Sequence, residues 1–216
     1  MGLLREVARL NGRTLDVLVF LSFAGTAVFA VSGALLALRH RMDVIGVLFL
    51  AGVTGLGGGT MRDLLLGRVP VSWVSDPSLL GVCGLAALLV SLLNPWLDGR
   101  RLKGLIYADA AGMATFAVLG TSTALSAGAH PAVAVLFGAM SAAFGGIIRD
   151  VICQEPPVVF RGQIYVSAAL LAGTVYALLS GVTGGDLATW LGVGSGLALR
   201  LLAIQFDWSL PFPQYR

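Results

Sequence analysis

Arg62-Asp63 and Arg149-Asp150 each close a run of small and apolar residues, in GLGGGTMRD and FGGIIRD. A charge at the centre of a bilayer costs at least ~2.5 kcal/mol, so residues of this kind face partners, water or an ion path and not lipid. Neighbouring residues on a helix point about 100° apart, which makes pairing inside each Arg-Asp dipeptide poor. The expected pairs are therefore crossed, Arg62 with Asp150 and Arg149 with Asp63. Such charges either latch two halves of the molecule together or line a wet path and tune its field.

Gly55, Gly57, Gly58 and Gly59 precede the first dipeptide. Each costs roughly 1 kcal/mol of helix propensity relative to alanine, so the cluster predicts a broken or kinked helix. A break frees carbonyls, which can replace part of the hydration of a passing cation. Gly145 and Gly146 form a weaker counterpart, with Phe144 where a third glycine would stand. Thr54, Thr60 and Ser141 are the hydroxyls nearest to the two sites. The competing reading is that glycines simply bring helices close. That reading suits the scattered Gly25, Gly33, Gly112, Gly120 and Gly138, and also the Gly192-to-Gly196 pair, which could serve an oligomer contact.

Other chemistry is sparse. His40 and His130 have no carboxylate or second histidine at ligand spacing. Cys83 and Cys153 are too few for a disulfide framework or a four-ligand zinc site. No Ser-His-Asp set, Walker lysine or dinucleotide fingerprint occurs. The chain is expected to be no enzyme, to need no cofactor and to hold no metal tightly.

The elements that position these residues follow from composition. The 216 residues are 57% hydrophobic and 12% charged, against about 25% charged in soluble domains, and mean hydropathy is +0.89. An ordinary water-soluble surface cannot be built from them. The net charge of +3 is scattered, with no basic block to track a phosphate backbone, so nucleic acid is not an expected partner.

A spanning helix needs about 20 apolar residues. Seven candidates run from Asp16 to Leu38, Asp43 to Leu66, Pro77 to Leu93, Leu105 to Ser126, Pro131 to Cys153, Ile164 to Val182 and Leu187 to Ile204. Asp43, Asp76 and Asp186 suit N-caps, Pro77 and Pro131 suit first turns, and Asn94-Pro95 stops the third span. Trp73, Trp96, Tyr107, Tyr165, Trp190 and Trp208 fall near span ends, where amphipathic rings favour the headgroup region. Arg5, Arg9 and Arg13 give the first run a signal-peptide flavour, but it is longer than a signal core and its motif recurs downstream. Counting Lys and Arg with the N-terminus outside puts Arg39, Arg41, Arg100, Arg101, Lys103, Arg161, Arg200 and Arg216 inside. Arg5, Arg9, Arg13 and Arg68 then lie outside, so the expected orientation is N-out, C-in.

The chain repeats itself at an offset of 87 residues. AGTAVFAVSG (Ala24 to Gly33) aligns with AGMATFAVLG (Ala111 to Gly120), and GGTMRD with GGIIRD, without a gap. Each copy holds three spans, an odd number, so the second enters the membrane in the opposite sense. The fold expected is one all-α integral membrane domain over 1–216: repeat A at about 16–93, an inverted repeat B at about 103–182, and a seventh helix at about 187–204. Inverted repeats are a design of proteins that move solutes, although a duplicated bundle kept for packing has the same signature.

These motifs resemble the prokaryotic branch of the trimeric intracellular cation (TRIC) channels, whose members are also labelled glycine-transporter-domain proteins. The resemblance rests on GGGTMRD at Gly57 to Asp63, GGIIRD at Gly145 to Asp150, and the paired FAVSG and FAVLG. It implies a homotrimer in the cell membrane with one pore per subunit, lined by kinked second and fifth helices around Gly57 to Gly59 and Gly145 to Gly146. It implies passage of potassium and sodium, bound only transiently near the breaks. The rival reading is a secondary transporter of a small zwitterion such as glycine, using half-helix amides for the carboxylate and Asp63 or Asp150 for the ammonium.

Overall fold

The computed structural model describes residues 2–93, 96, 101–160, 164–183 and 185–209, with side chains described from Asp16 onward. The loop charges Arg100, Arg161 and Arg216, the side chains of Arg5, Arg9 and Arg13, and the Asn94-Pro95 stop lie outside the described residues. The architecture is all-α: α1 (Gly2–Arg39), α2 (Val44–Leu65), the short α3 (Ser72–Ser75), α4 (Ser78–Leu93), α5 (Arg101–Ser126), α6 (Pro131–Ile152), α7 (Val166–Leu179) and α8 (Gly185–Gln205). A 3-10 turn at Val158–Phe160 precedes α7.

Asp43 caps α2 by accepting from the Gly46 amide at 2.8 Å, and Asp76 accepts from the amide of Ser78 at the start of α4 at 3.1 Å. Asp186 instead lies in the first turn of α8. His130 takes the N-cap role at α6, accepting from the Ala132 amide, with Pro131 opening the helix. From Asp16 onward α1 is long and apolar enough to cross a membrane, as are α2, α5, α6 and α8. The apolar helices α4 and α7 have 16 and 14 residues, reaching about 24 and 21 Å at 1.5 Å per residue against a core of about 30 Å. α4 matches the expected Pro77-to-Leu93 span to within one residue, whereas α7 is shorter than the expected Ile164-to-Val182 span because Ile164 and Tyr165 precede the helix and Ser180 to Val182 form a turn after it.

The 87-residue repeat governs the geometry. α1 ends at Arg39 and α5 at Ser126; α2 spans Val44–Leu65 and α6 spans Pro131–Ile152. Every one of these bounds is matched at that offset. So are the left-handed backbone positions, Arg41 with Gly128 and Gly67 with Gln154. Equivalent helices run antiparallel. Gly25 of α1 faces Thr115 and Phe116 of α5, while Leu35 reaches back to Gly104, so advance along one helix is retreat along the other. Phe29 and Phe116, equivalent residues themselves, stack with ring centroids 5.2 Å apart. Gly112 gives Phe29 its room, since a Cβ there would overlap the ring. The two repeats are thus inverted and share a core seam.

α8 packs on α7 through Gly192 and Gly196, whose missing side chains admit Tyr176, Ala172 and the Ala172 and Ala168 carbonyls. That glycine pair serves packing inside the chain. Tyr165, expected at the headgroup level, is buried and donates its hydroxyl to the Ala142 carbonyl at 3.2 Å. Trp96, Tyr107, Trp190 and Trp208 are exposed.

Candidate functional site

The centre of the site is the crossing of α2 and α6. A Cβ at Gly58 would overlap the Ser141 carbonyl oxygen, and a Cβ at Gly145 would overlap the Thr54 carbonyl oxygen. Thr54 is equivalent to Ser141 and Gly58 to Gly145, so this is one contact made twice about a pseudo-two-fold axis. The Ser141 hydroxyl donates to the Gly58 carbonyl at 3.4 Å, and the Thr54 hydroxyl to the Leu50 carbonyl of its own helix at 2.6 Å. Both hydroxyl residues are completely buried.

Of the broken or kinked helices expected, neither is broken. α2 is a continuous α-helix from Val44 to Leu65 and α6 from Pro131 to Ile152, so their glycines free no run of carbonyls for an ion. The reason is that the four glycines of α2 serve different neighbours. Gly55 admits Cys83 and the Thr26 carbonyl, Gly57 faces Ile148, Gly58 meets α6, and Gly59 opens toward Arg62 and Phe116. Close helix contact offsets the propensity they give up. Thr60 bonds back to the Leu56 carbonyl at 2.7 Å and accepts from the Trp73 indole at 3.0 Å. Phe144 is half-buried on α6.

The charges lie one turn beyond the crossing, at the C-terminal ends of α2 and α6, and antiparallel packing puts the two clusters at opposite ends of the seam. The crossed pairs do not form. Arg62 turns back on its own neighbour, its Nη2 2.7 Å and its Nε 2.9 Å from Asp63 Oδ1. Arg149 does the same with Asp150 Oδ1, at 2.8 Å from both Nη2 and Nε. Adjacent Cβ directions diverge by about 100°, but the arginine side chain is long enough to curl around the last turn and reach the neighbouring carboxylate.

Each carboxylate also caps the chain that follows. Asp63 Oδ2 accepts from the Ser72 amide at 2.9 Å and from the Ser72 hydroxyl, and Asp150 Oδ2 accepts from the Val158 amide at 3.2 Å. Buried carboxylates are thereby held by a guanidinium and by amide dipoles together.

Repeat B adds residues that the dipeptides did not announce. Arg149 Nη1 reaches Asp109 Oδ1 on α5 at 2.7 Å and Ser32 Oγ on α1 at 2.9 Å. Arg200, counted above as a loop charge, is buried within α8, its guanidinium 5.2 Å from the Tyr165 ring centroid and bonded to the Ile164 carbonyl at 3.2 Å. A cavity of about 70 Å³ beside this network is lined by Arg39, Asp109, Arg149, Asp150, Glu155 and Arg200. At its rim Glu155 pairs with His40 at 3.0 Å and Arg39 at 3.5 Å. A smaller space of about 20 Å³, lined in part by Ser22, Gly59, Thr60, Arg62 and Ser72, adjoins the repeat A cluster. Asp109 was detectable by the rule that flagged the dipeptides, as the one acidic residue in the apolar run from Leu105 to Ser126.

A family model described as Glycine transporter matches residues 19–95 and again 106–181, one match per repeat. The chain is 41% identical over 196 residues to the UPF0126 inner membrane protein YadS of Escherichia coli K12, covering 89% of this chain and 94% of that one. It is 34% identical to the UPF0126 membrane protein YvgT of Bacillus subtilis over 91% and 96%. Among solved structures it is similar to the TRIC trimeric intracellular cation channel orthologue from Rhodobacter sphaeroides, with TM-score 0.84, 37% identity and coverage of 89% and 99%. A prokaryotic TRIC channel crystallised in 0.5 M KCl matches with TM-score 0.86, 30% identity and coverage of 91% and 100%. The chain, a multi-pass membrane protein, belongs to the prokaryotic TRIC family, whose sequence model carries the glycine-transporter description.

Proposed function

We propose that this chain is a passive channel for monovalent cations, potassium and sodium, working as a homotrimer with a path through each subunit and catalysing no reaction. The observation that carries the reading is the doubled Gly58–Ser141 and Gly145–Thr54 contact, flanked at opposite ends by the Arg62–Asp63 and Arg149–Asp150–Asp109 clusters. Two continuous helices that touch through glycine and carbonyl, with hydroxyls at the touching point, form a shut constriction. A small separation of α2 from α6 releases the Ser141 hydroxyl from the Gly58 carbonyl and opens the contact at the Thr54 and Ser141 carbonyls, placing oxygen atoms beside a partly dehydrated cation. The arginines balance the buried carboxylates and exclude anything needing a high negative field.

Seven spans, N-terminus outside, with repeat A over about 16–93, repeat B over about 103–182 and a further helix over about 187–204, complete the proposal. The family's trimeric relatives support the assembly, since one carries the word in its name.

The glycine-transporter alternative needs half-helix amide ends to hold a carboxylate. Continuous α2 and α6 supply none at the crossing, which favours the channel. Purified protein in liposomes tests it: voltage-driven potassium flux with no added substrate is expected. Saturable glycine uptake with counterflow, and no such flux, would overturn it.

A further inference from the structure

Arg62 and Arg149 are equivalent residues that the two halves hold differently. Arg149 is 1% exposed and reaches three acceptor side chains, Asp150, Asp109 and Ser32. The positions of the last two, carried through the 87-residue offset, are Ser22 and Leu119 in the surroundings of Arg62. Neither supplies a carboxylate, and leucine supplies no acceptor at all. Arg62, 8% exposed, keeps Asp63 and gains the Ser72 hydroxyl at 3.2 Å, bonds in which its Nη1 takes no part. It shares the small space of about 20 Å³ with Ser22, room for about one water.

We infer that Asp109 fixes Arg149 as a static strut, and that the serine at position 22 leaves Arg62 able to swing off Asp63, which assigns the gating movement to the repeat A end. The inference rests on the channel reading. The larger cavity beside Arg149 does not free it, because a guanidinium clamped between two carboxylates loses both on moving, whereas Arg62 loses one. Its departure bares the Asp63 carboxylate, still held by the Ser72 amide at 2.9 Å, to a cation arriving at that end. Asp109 and Ser22 act through the arginines and are positioning residues. They set which end moves and not what passes.

Single-channel recording in planar bilayers with potassium chloride, on the full chain, tests this. Ser22→Asp rebuilds the repeat B clamp around Arg62 and is expected to lower open probability at least threefold, with unit conductance and melting temperature in detergent retained. Ser22→Asn, the neutral control, is expected to change open probability less than twofold. Asp109→Asn is expected to destabilise the closed state, with Asp109→Glu restoring wild-type open times. If Asp109→Asn does not fold, the Ser22 pair still decides. Unchanged open probability in Ser22→Asp, or an equal effect from Ser22→Asn, would overturn the inference while leaving the channel reading intact. Absence of any potassium current in the wild-type chain would overturn the channel reading itself, and this inference with it.

Discussion

The backbone of Gly58 on α2 lies against the Ser141 carbonyl of α6 so closely that any Cβ would overlap it. Overpacking of this kind costs ~1–3 kcal/mol, and the clash here is with backbone, which cannot rotate aside. Gly58→Ala is therefore expected to lower the melting temperature in detergent and potassium flux together, and Gly145→Ala to do the same through the Thr54 carbonyl. Gly52 on the same helix has nothing within 4 Å of its Cβ position, so Gly52→Ala should be neutral or stabilise by up to about 1 kcal/mol. Loss of flux with full stability in Gly58→Ala would argue against a packing role.

The repeat, its inversion and the all-α membrane fold were legible in the sequence because periodic motifs at one offset survive translation into geometry, down to the end of α1 at Arg39 and α5 at Ser126. The helix break was not. Propensity counts what Gly55 to Gly59 lose, and says nothing of Cys83, Ile148 and Ser141 packing into the space they leave. The pairing of Arg62 is hidden for a related reason: Cβ directions follow from helix periodicity, whereas the reach of a four-torsion side chain back to Asp63 does not. Asp109 and Ser32 come from helices distant in sequence, and only the three-dimensional fold brings them to Arg149.

The ion pairs give a second prediction. In a double-mutant cycle on unfolding free energy, Asp109→Asn with Arg149→Gln should couple well beyond the ~0.5 kcal/mol typical of independent sites, since removing one partner of a buried pair costs about 3–5 kcal/mol. Arg62→Gln with Asp150→Asn, the crossed combination, should be additive. Strong coupling in the crossed cycle would contradict the 2.7 Å contact between Arg62 and Asp63.

A third prediction concerns the seam between repeats. Phe29 is completely buried and Phe116 nearly so, and truncating either to alanine should cost about 3–5 kcal/mol. Their stacking at 5.2 Å adds a coupling of about 0.5–1.5 kcal/mol in the Phe29→Ala, Phe116→Ala cycle. Gly112→Ala should destabilise by the same route, because its Cβ would occupy the space of the Phe29 ring. Wild-type stability in that variant would mean the two repeats are not seated on each other there.

The last prediction concerns the sidedness that inversion demands. Antiparallel α1 and α5 place the turn after Arg39 and the turn after Ser126 at opposite faces of the membrane, and loop charges favour the first of these inside. Cys83 and Cys153 are both buried, so the background for labelling is low. An impermeant maleimide on intact cells is expected to label Ala127→Cys and to spare Arg41→Cys, which should react only after permeabilisation. Because both positions are exposed, failure to react reports sidedness and not burial. Labelling of both from outside would reject inversion, since equivalent turns of a parallel repeat share a face. The reverse pattern, with Arg41→Cys outside, would keep the inversion and turn the whole chain over, moving the Asp109 cavity to the other side of the membrane.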